Sequence, residues 1–272
     1  MRMAQVTSGN SASVRSIVLR VGFFWGGYLA ILYSVALIKS RVPAQWGGLV
    51  WGGASSLLIV GMTWLFLGCD RRRFGGVGLN LTRGSAARLV LGAVAAVAIY
   101  ALIVVLVATL LGPLQFARAT GQPVSGIVLT VITTLVLATM EELGFRGYPL
   151  RTLVPVVGHW PAQLIVAVAF GACHVLFGYS WQSILVGVIP CGLLFGVAAT
   201  ASRGLAMPIG LHTGLNLAQW AMGEKGGRGI WTIIADDQTR VRIASFSPVV
   251  VVAVTLAGAL TFWIWGRSRK IV

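Results

Sequence analysis

The chain consists mainly of apolar segments separated by short polar connections. Eight of these segments are long enough to form helices that cross a bilayer. They lie at about residues 21–38, 46–69, 89–111, 124–150, 161–177, 181–200, 205–221 and 248–265. The pattern predicts an all-α fold, a polytopic transmembrane helical bundle of about eight spans. No internal repeat or linker interrupts the sequence, so we expect a single transmembrane domain over residues 1–272.

Two stretches differ from simple apolar helices. In the fourth segment the apolar run stops at Met140, although the helical pattern continues to Tyr148. Pro149 disfavours a helical conformation at the residue before it, so we predict that this span ends near residue 150. The segment 222–247 is the longest connection on its side, and its sequence IWTIIADDQTRVRI is typical of a small β-hairpin. We predict the turn of this hairpin at Asp236-Asp237-Gln238.

Composition supports a membrane protein. Hydrophobic residues make up 57% of the chain, charged residues make up 10%, and the mean hydropathy is +0.88. Soluble domains carry about 25% charged residues, so this chain cannot cover a water-exposed globule. The 35 glycines are typical of closely packed membrane helices, and Gly48 and Gly52 lie one helical turn apart.

We interpret the net charge of +15 as a signal of membrane topology and not of binding to nucleic acid. The 21 Lys and Arg residues are spread through the short connections, and 14 of them fall on the side that would hold both termini. The excess of positive charge predicts that the N- and C-termini are cytoplasmic in a multi-pass protein of the cell membrane. The run DRRRF at 70–74 then lies at the cytoplasmic headgroups, where it stops translocation and attracts anionic lipid.

Titratable residues inside the apolar segments are candidates for function, because burying them in a membrane is costly. The stretch TLVLATMEELGFRGYPLRTL at 134–153 contains Glu141 and Glu142 side by side, with Arg146 four residues after Glu142. The spacing of four predicts an ion pair between Glu142 and Arg146. Glu141 points about 100° away and can act as a general base. Alternatively, both glutamates are ordinary helix-end carboxylates at the headgroups.

Two histidines and an asparagine provide the remaining polar groups. His174 closes the stretch FGACH, and His212 opens HTGLN, which Asn216 closes. The helical rise places His212, Glu141 and His174 at depths of about 10, 12 and 20 Å. We therefore expect these side chains to meet in one cavity that opens to the cytoplasm. His159 lies beside Trp160 at a helix boundary and is interpreted as an interfacial residue.

These three motifs resemble those of a known family. EELGFR at 141–146 is similar to the EExxxR motif of the CPBP family, the CAAX-protease and bacteriocin-processing membrane proteins. The stretch from Phe170 to His174 matches its FxxxH motif, and that from His212 to Asn216 matches its HxxxN motif. The motifs occur in the family's order, and the resemblance gives a CPBP-like catalytic core at about 125–221.

The resemblance implies a set of roles. Glu141 and His174 would activate a water molecule, and His212 and Asn216 would stabilise the oxyanion. The supporting residues would be Glu142, Arg146 and Phe170. The expected activity is that of an intramembrane endopeptidase, a hydrolase that cuts a membrane-associated peptide or protein of the prenylated or CAAX type. The expected partners are this substrate and the lipid bilayer, with no nucleic acid.

Three alternatives remain at this point. The family also contains bacteriocin-immunity and scaffold members, so the chain could be a non-proteolytic membrane protein of the same fold. A proton-coupled transporter would use the same titratable groups, but the sequence shows no paired discontinuous helices. The family is often labelled a metalloprotease, although this sequence lacks HExxH. We expect no required metal; if zinc is bound, the ligands would be Glu141, His174 and His212.

Overall fold

The computed structural model describes residues 6–79, 82–119, 121–225 and 229–268, with side chains from residue 14 onwards. The α-helices of these residues are α1 (Val6–Lys39), α2 (Ala44–Cys69), α3 (Ser85–Leu111), α4 (Val124–Glu142), α5 (Tyr148–Val157), α6 (His159–Val175), α7 (Trp181–Ser183), α8 (Ile189–Ala201), α9 (Ala206–Ala221) and α10 (Asp237–Ser268). The remaining elements are a 3₁₀ turn (Phe74–Val77), two π turns (Leu143–Gly147 and Ile184–Val188) and two strands, β1 (Gln115–Arg118) and β2 (Trp231–Ile234). The predicted all-α polytopic bundle is confirmed.

Six helical segments are long and apolar enough to cross a membrane. They are Val14–Lys39, Ala44–Cys69, Ser85–Leu111, Val124–Val157, Trp181–Ala201 and Asp237–Ser268. The shorter helices α6 and α9 correspond to the other two predicted segments, so all eight predicted segments coincide with helices. The number of helices that span the bilayer and the side that holds the termini stay predictions.

The predicted end of the fourth segment near residue 150 is wrong. The chain continues from α4 through the π turn Leu143–Gly147 directly into α5, which extends to Val157. Pro149 is the second residue of α5, and a first-turn position tolerates proline because the N–H there has no partner within the helix. The π turn is thus inserted between the glutamates and the proline, and such turns are frequent at functional sites.

The predicted hairpin within residues 222–247 is also wrong. Residues 231–234 do form a strand, but β2 pairs antiparallel with β1, which follows α3. The second half of the expected hairpin is helical, because the Asp236 carboxylate accepts a hydrogen bond from the Thr239 amide at 2.7 Å and caps the first turn of α10. The pairing of β1 with β2 places these two connections on the same side of the bundle, as the predicted topology requires.

Close helix contacts position the elements that carry the candidate residues. A Cβ at Gly52 would lie 2.9 Å from Leu137 Cδ2, so α2 packs tightly against α4 as the glycine spacing predicts. A Cβ at Gly210 would lie 2.0 Å from the Leu89 carbonyl oxygen, so the backbones of α9 and α3 are in direct contact. These contacts fix the rotation of α4 and α9, which carry Glu141 and His212.

An aromatic core surrounds the π turn. Phe145 packs edge-to-face against Tyr28 of α1 and Phe170 of α6, with ring centroids 5.3 and 5.1 Å apart. Tyr148 stacks on Phe24 at 5.1 Å. All five rings are almost completely buried, so the segment after α4 is held from both sides and its side chains have defined directions.

Candidate active site

Glu142 and Arg146 form a buried ion pair at the junction of α4 and the π turn. Arg146 Nη1 lies 3.1 Å from Glu142 Oε1, and both side chains have no exposed surface. The ion pair expected from the spacing of four residues is therefore present. Arg146 Nη2 also donates to the Gly192 carbonyl of α8 at 2.9 Å.

Aromatic rings line the rest of the Arg146 guanidinium. Its Cζ lies 4.3 Å from the ring centroid of Phe170 and 5.6 Å from that of Phe195. These distances are within the range of cation–π attraction, which partly replaces the water that the buried cation has lost. Phe170 thus contacts the cation directly, and its position one turn before His174 on α6 connects the two groups.

His212 lies between the two glutamates. Its Nδ1 is 3.0 Å from Glu142 Oε1, and its Nε2 is 3.7 Å from Glu141 Oε2. The imidazole stacks on Phe195 of α8 with ring centroids 4.7 Å apart and an interplanar angle of 17°. An ionised carboxylate only accepts hydrogen bonds, so Nδ1 carries the hydrogen and Nε2 faces Glu141.

His174 approaches Glu141 from α6. Its Nδ1 is 2.9 Å from the Phe170 carbonyl oxygen, which can only accept, so Nδ1 donates this hydrogen bond. In the neutral ring, Nε2 is then an acceptor, and it lies 4.0 Å from Glu141 Oε2. The backbone carbonyl thus fixes both the orientation of the ring and the nitrogen that is available for chemistry.

The side chains from α4, α6 and α9 approach one another at Glu141 Oε2. This oxygen lies 3.7 and 4.0 Å from the Nε2 atoms of His212 and His174, which is too long for a direct hydrogen bond. Among the described residues this oxygen is buried and has no hydrogen-bond partner. The geometry therefore brings two imidazole nitrogens to within 4.0 Å of one carboxylate oxygen.

The site has a closed half and an open half. Glu142 and Arg146 are completely buried, whereas the side chains of Glu141 and His174 are 22% and 16% exposed. The exposed part of the cluster is therefore on the side of Glu141 and His174, although Glu141 Oε2 itself is buried. The expected cytoplasmic orientation of this opening stays a prediction.

Asn216 is less closely connected to the cluster than the sequence suggests. It lies one turn beyond His212 on α9 and is half-buried. Within the described residues, its side chain is hydrogen-bonded to Lys225. Lys225 Nζ donates to Asn216 Oδ1 at 2.5 Å, and Lys225 also interacts electrostatically with Glu141. Because Oδ1 is occupied, the Asn216 amide is left with its Nδ2 donors for another partner.

Sequence reasoning missed Lys225, Phe195 and the Gly192 carbonyl. Phe195 and Gly192 lie on α8, which has no charged residue to draw attention to it. Lys225 lies outside the apolar segments, so the search for intramembrane charges passed over it. Its position four residues after the end of α9 was the available signal, because a lysine side chain there can extend back over the helix.

The three alternative zinc ligands are Glu141, His174 and His212. Glu141 Oε2 lies 4.0 Å from His174 Nε2 and 3.7 Å from His212 Nε2. Within the described ranges, no group of three His, Cys, Asp or Glu side chains has an arrangement suited to holding a metal ion. Glu142 is bonded to Arg146 and His212, so it is not free to complete such a set.

Comparison with known proteins finds a family match over about a third of the chain. No curated protein sequence matches the chain. Residues 123–218 match the model of the family described as Rce1-like: Type II CAAX prenyl endopeptidase Rce1-like. The matched segment overlaps the predicted core at 125–221 and contains every candidate residue of the three motifs. The resemblance to the CPBP family is therefore confirmed over residues 123–218, where this multi-pass membrane chain is similar to an intramembrane protease family of the CAAX type.

Proposed function

We propose that the protein is an intramembrane endopeptidase that hydrolyses a peptide bond with a water molecule activated by Glu141 and His174. One observation carries this proposal: Glu141 Oε2 has no hydrogen-bond partner in the described residues and lies 3.7 and 4.0 Å from the Nε2 atoms of His212 and His174. A water admitted by a small separation of these side chains would contact Glu141 and His174, the two acceptors that the proposed general base mechanism needs.

The reaction starts with the transfer of a water proton to Glu141. His174 Nε2 accepts the second water hydrogen and orients the oxygen, because its Nδ1 is already bonded to the Phe170 carbonyl. The hydroxide then attacks the carbonyl carbon of the substrate. Glu141 passes its proton to the nitrogen of the leaving amine as the C–N bond breaks, so the carboxylate is regenerated at the end of each cycle.

The oxyanion of the tetrahedral intermediate is stabilised on the α9 side. His212 donates from Nε2 with a second ring proton that it takes from bulk water before the attack and keeps through the cycle, and the Glu142 carboxylate at Nδ1 balances the positive charge. Asn216 donates from Nδ2, and Lys225 holds the amide in this orientation through Oδ1. Fixed donors of this kind commonly account for a large part of the catalysis of acyl transfer.

The proposed mechanism requires no resident metal. Glu142, the second carboxylate of the cluster, is bonded to Arg146 and His212 and is not available as a metal ligand. A glutamate that acts on free water needs no further ligand.

The family match supports a substrate of the CAAX type, a membrane-bound peptide or protein cut near its lipid-modified end. Such a substrate would reach the open side of Glu141 from a membrane surface, and we propose that the protein lies in the cell membrane. The non-proteolytic scaffold alternative is not favoured, because the family match is to endopeptidases and all motif residues are intact in the sequence.

Quantitative proteomics of membranes tests this function. Membranes from cells with the wild-type chain and with Glu141→Gln are compared for new C-termini and for released short peptides. Asp237→Asn is the matched control, because it makes the same carboxylate-to-amide change in the exposed first turn of α10. We expect one or more products that occur with the wild type and with Asp237→Asn and are absent with Glu141→Gln. Identical product sets in all three samples would contradict the proposal.

A further inference from the structure

A cavity of about 610 Å³ lies away from the candidate active site, between the ends of α5, α6, α8 and α10. Its lining includes three arginines, Arg72, Arg151 and Arg267, together with Trp160 and Trp263. None of the catalytic candidates lines it, and its described lining contains no Asp or Glu. The cavity therefore has an unbalanced positive charge.

Arg72 and Arg151 donate their hydrogen bonds to neutral groups. Arg72 donates to Thr152 Oγ1 at 2.9 Å and to the Arg151 carbonyl, which places the two residues side by side. Arg151 Nη2 donates to the Ala199 carbonyl at 2.7 Å, and its Nε is buried without a hydrogen-bond partner in the described residues. Neighbouring cations that are partly shielded from water repel each other, and an anion between them would relieve this repulsion and satisfy the buried Arg151 Nε.

The nearest sequence carboxylate does not provide that anion. Asp70 precedes the arginines of the run DRRRF, but its two oxygens bond to Arg20 and to the Tyr148 hydroxyl. It is absent from the cavity lining. Among the described residues of the cavity lining, no carboxylate is available to pair with these arginines.

The outer edge of the cavity has the features of a membrane interface. Trp160 and Trp263 pack against each other with ring centroids 5.8 Å apart, and Arg267 lies over the Trp263 ring at 4.8 Å. Trp160 is 42% exposed, and both tryptophans lie within a few residues of a helix end. Tryptophan at helix ends is typical of the headgroup level of a bilayer, where lipid phosphates are found.

We propose that this cavity binds a phosphate-containing anion, supplied by the headgroup of an anionic phospholipid. The guanidiniums of Arg72, Arg151 and Arg267 would hold the phosphate by charge-assisted hydrogen bonds, and the two indoles would contact the glycerol and the start of the acyl chains. Basic pockets between transmembrane helices are a recurring way of binding anionic headgroups. This site gives the run DRRRF a specific role beyond topology, because Arg72 belongs to it.

Native mass spectrometry of the full-length protein in uncharged detergent tests the proposal. Short-chain phosphatidylglycerol and zwitterionic phosphatidylcholine are titrated separately, and the fraction of lipid-bound protein gives each dissociation constant. We expect phosphatidylglycerol to bind at least about tenfold more tightly than phosphatidylcholine. One additional charge-assisted hydrogen bond contributes enough free energy for this difference in affinity. Equal affinity for the two lipids would overturn the proposal.

Two variants and one control locate the site. Arg267→Gln removes an exposed cation at the cavity edge, and Arg72→Gln removes an inner one; each should weaken phosphatidylglycerol binding about tenfold. Arg83→Gln is the matched control, because this arginine is exposed and lies outside the cavity lining. Undiminished binding by Arg267→Gln, or equal weakening by Arg83→Gln, would show diffuse surface attraction and contradict a defined site.

Competition with inorganic phosphate distinguishes a lipid headgroup from a free phosphate as the source of the anion. We expect millimolar phosphate to compete weakly with phosphatidylglycerol, because it lacks the parts that contact Trp160 and Trp263. Displacement of the lipid at equal concentration would instead assign the cavity to a free phosphate anion and overturn the lipid source.

Discussion

His212 Nδ1 lies 3.0 Å from Glu142 Oε1, the same oxygen that Arg146 Nη1 reaches at 3.1 Å. One buried carboxylate therefore orients both the arginine of the first motif and the histidine of the third. The sequence assigns Glu142 to Arg146 alone. In the structure, Glu142 also determines which imidazole nitrogen of His212 faces Glu141, so the second glutamate supports the chemistry as well as the fold.

The two glutamates should respond differently to the same substitution. Glu142→Gln leaves Arg146 buried without its anion, and breaking such a pair typically costs about 3–5 kcal/mol. Glu141→Gln removes no hydrogen bond that the described residues make, so its stability should be close to that of the wild type. Thermal unfolding in detergent measures both. Equal losses of stability would show that the proposed division between the two carboxylates is wrong.

Lys225 should act through Asn216. Lys225→Met removes the donor to Asn216 Oδ1 and lets the amide rotate, so we expect kcat to fall about tenfold with a smaller change in KM. Asn216→Ala removes the proposed oxyanion donor itself and should lower kcat by about 10²–10³. Steady-state kinetics with a membrane-bound substrate separates the two parameters. Partial recovery in Lys225→Arg is expected, and a change confined to KM would assign Lys225 to substrate binding instead.

The sequence identifies the residues at the centre of the site because polar groups are rare in its apolar segments. Glu141, Glu142, His174 and His212 stand out for this reason, and the structure brings them together from α4, α6 and α9. The ring that stacks on His212 could not be found in this way, because Phe195 is one of many apolar residues and its contact depends on helix rotation.

The sequence patterns also did not predict the π turn or the pairing of the two strands. The π turn after Glu142 changes the helical register before Pro149, and no periodicity in the apolar residues marks it. Likewise, β2 has the alternation of a strand, but its partner β1 lies more than 100 residues earlier in the chain. Patterns within a short segment predict its own conformation better than its distant partners.

Gly144 tests the importance of the π turn. A Cβ at this position would lie 2.3 Å from Cε2 of the buried Tyr28 ring, so Gly144→Ala should cost about 1–3 kcal/mol and disturb the orientation of Glu142 and Arg146. Gly53→Ala is the control, since nothing lies within 4 Å of a Cβ there and alanine favours the helix. Thermal unfolding should show a loss for Gly144→Ala and no loss for Gly53→Ala. The opposite order would exclude close packing of Tyr28 on the π turn.

Removal of metal ions should leave activity intact. With a glutamate as base and free water as nucleophile, extensive chelation and dialysis should not lower the rate, and active protein should contain well below one metal per chain. If zinc instead activates the water, chelation should abolish activity and zinc should restore it. Stoichiometric zinc that is lost in both His174→Ala and His212→Ala would contradict the proposed mechanism.

The most direct measurement is cleavage by the purified protein in liposomes. The substrate set is a library of lipid-anchored peptides with CAAX-type C-termini, and the products are identified by mass. Our account predicts cleavage by the wild type and by Asp237→Asn, and a loss of at least about 10²-fold in Glu141→Gln, because the amide keeps the shape of the side chain and cannot accept a proton. Cleavage by Glu141→Gln at the wild-type rate would contradict the account.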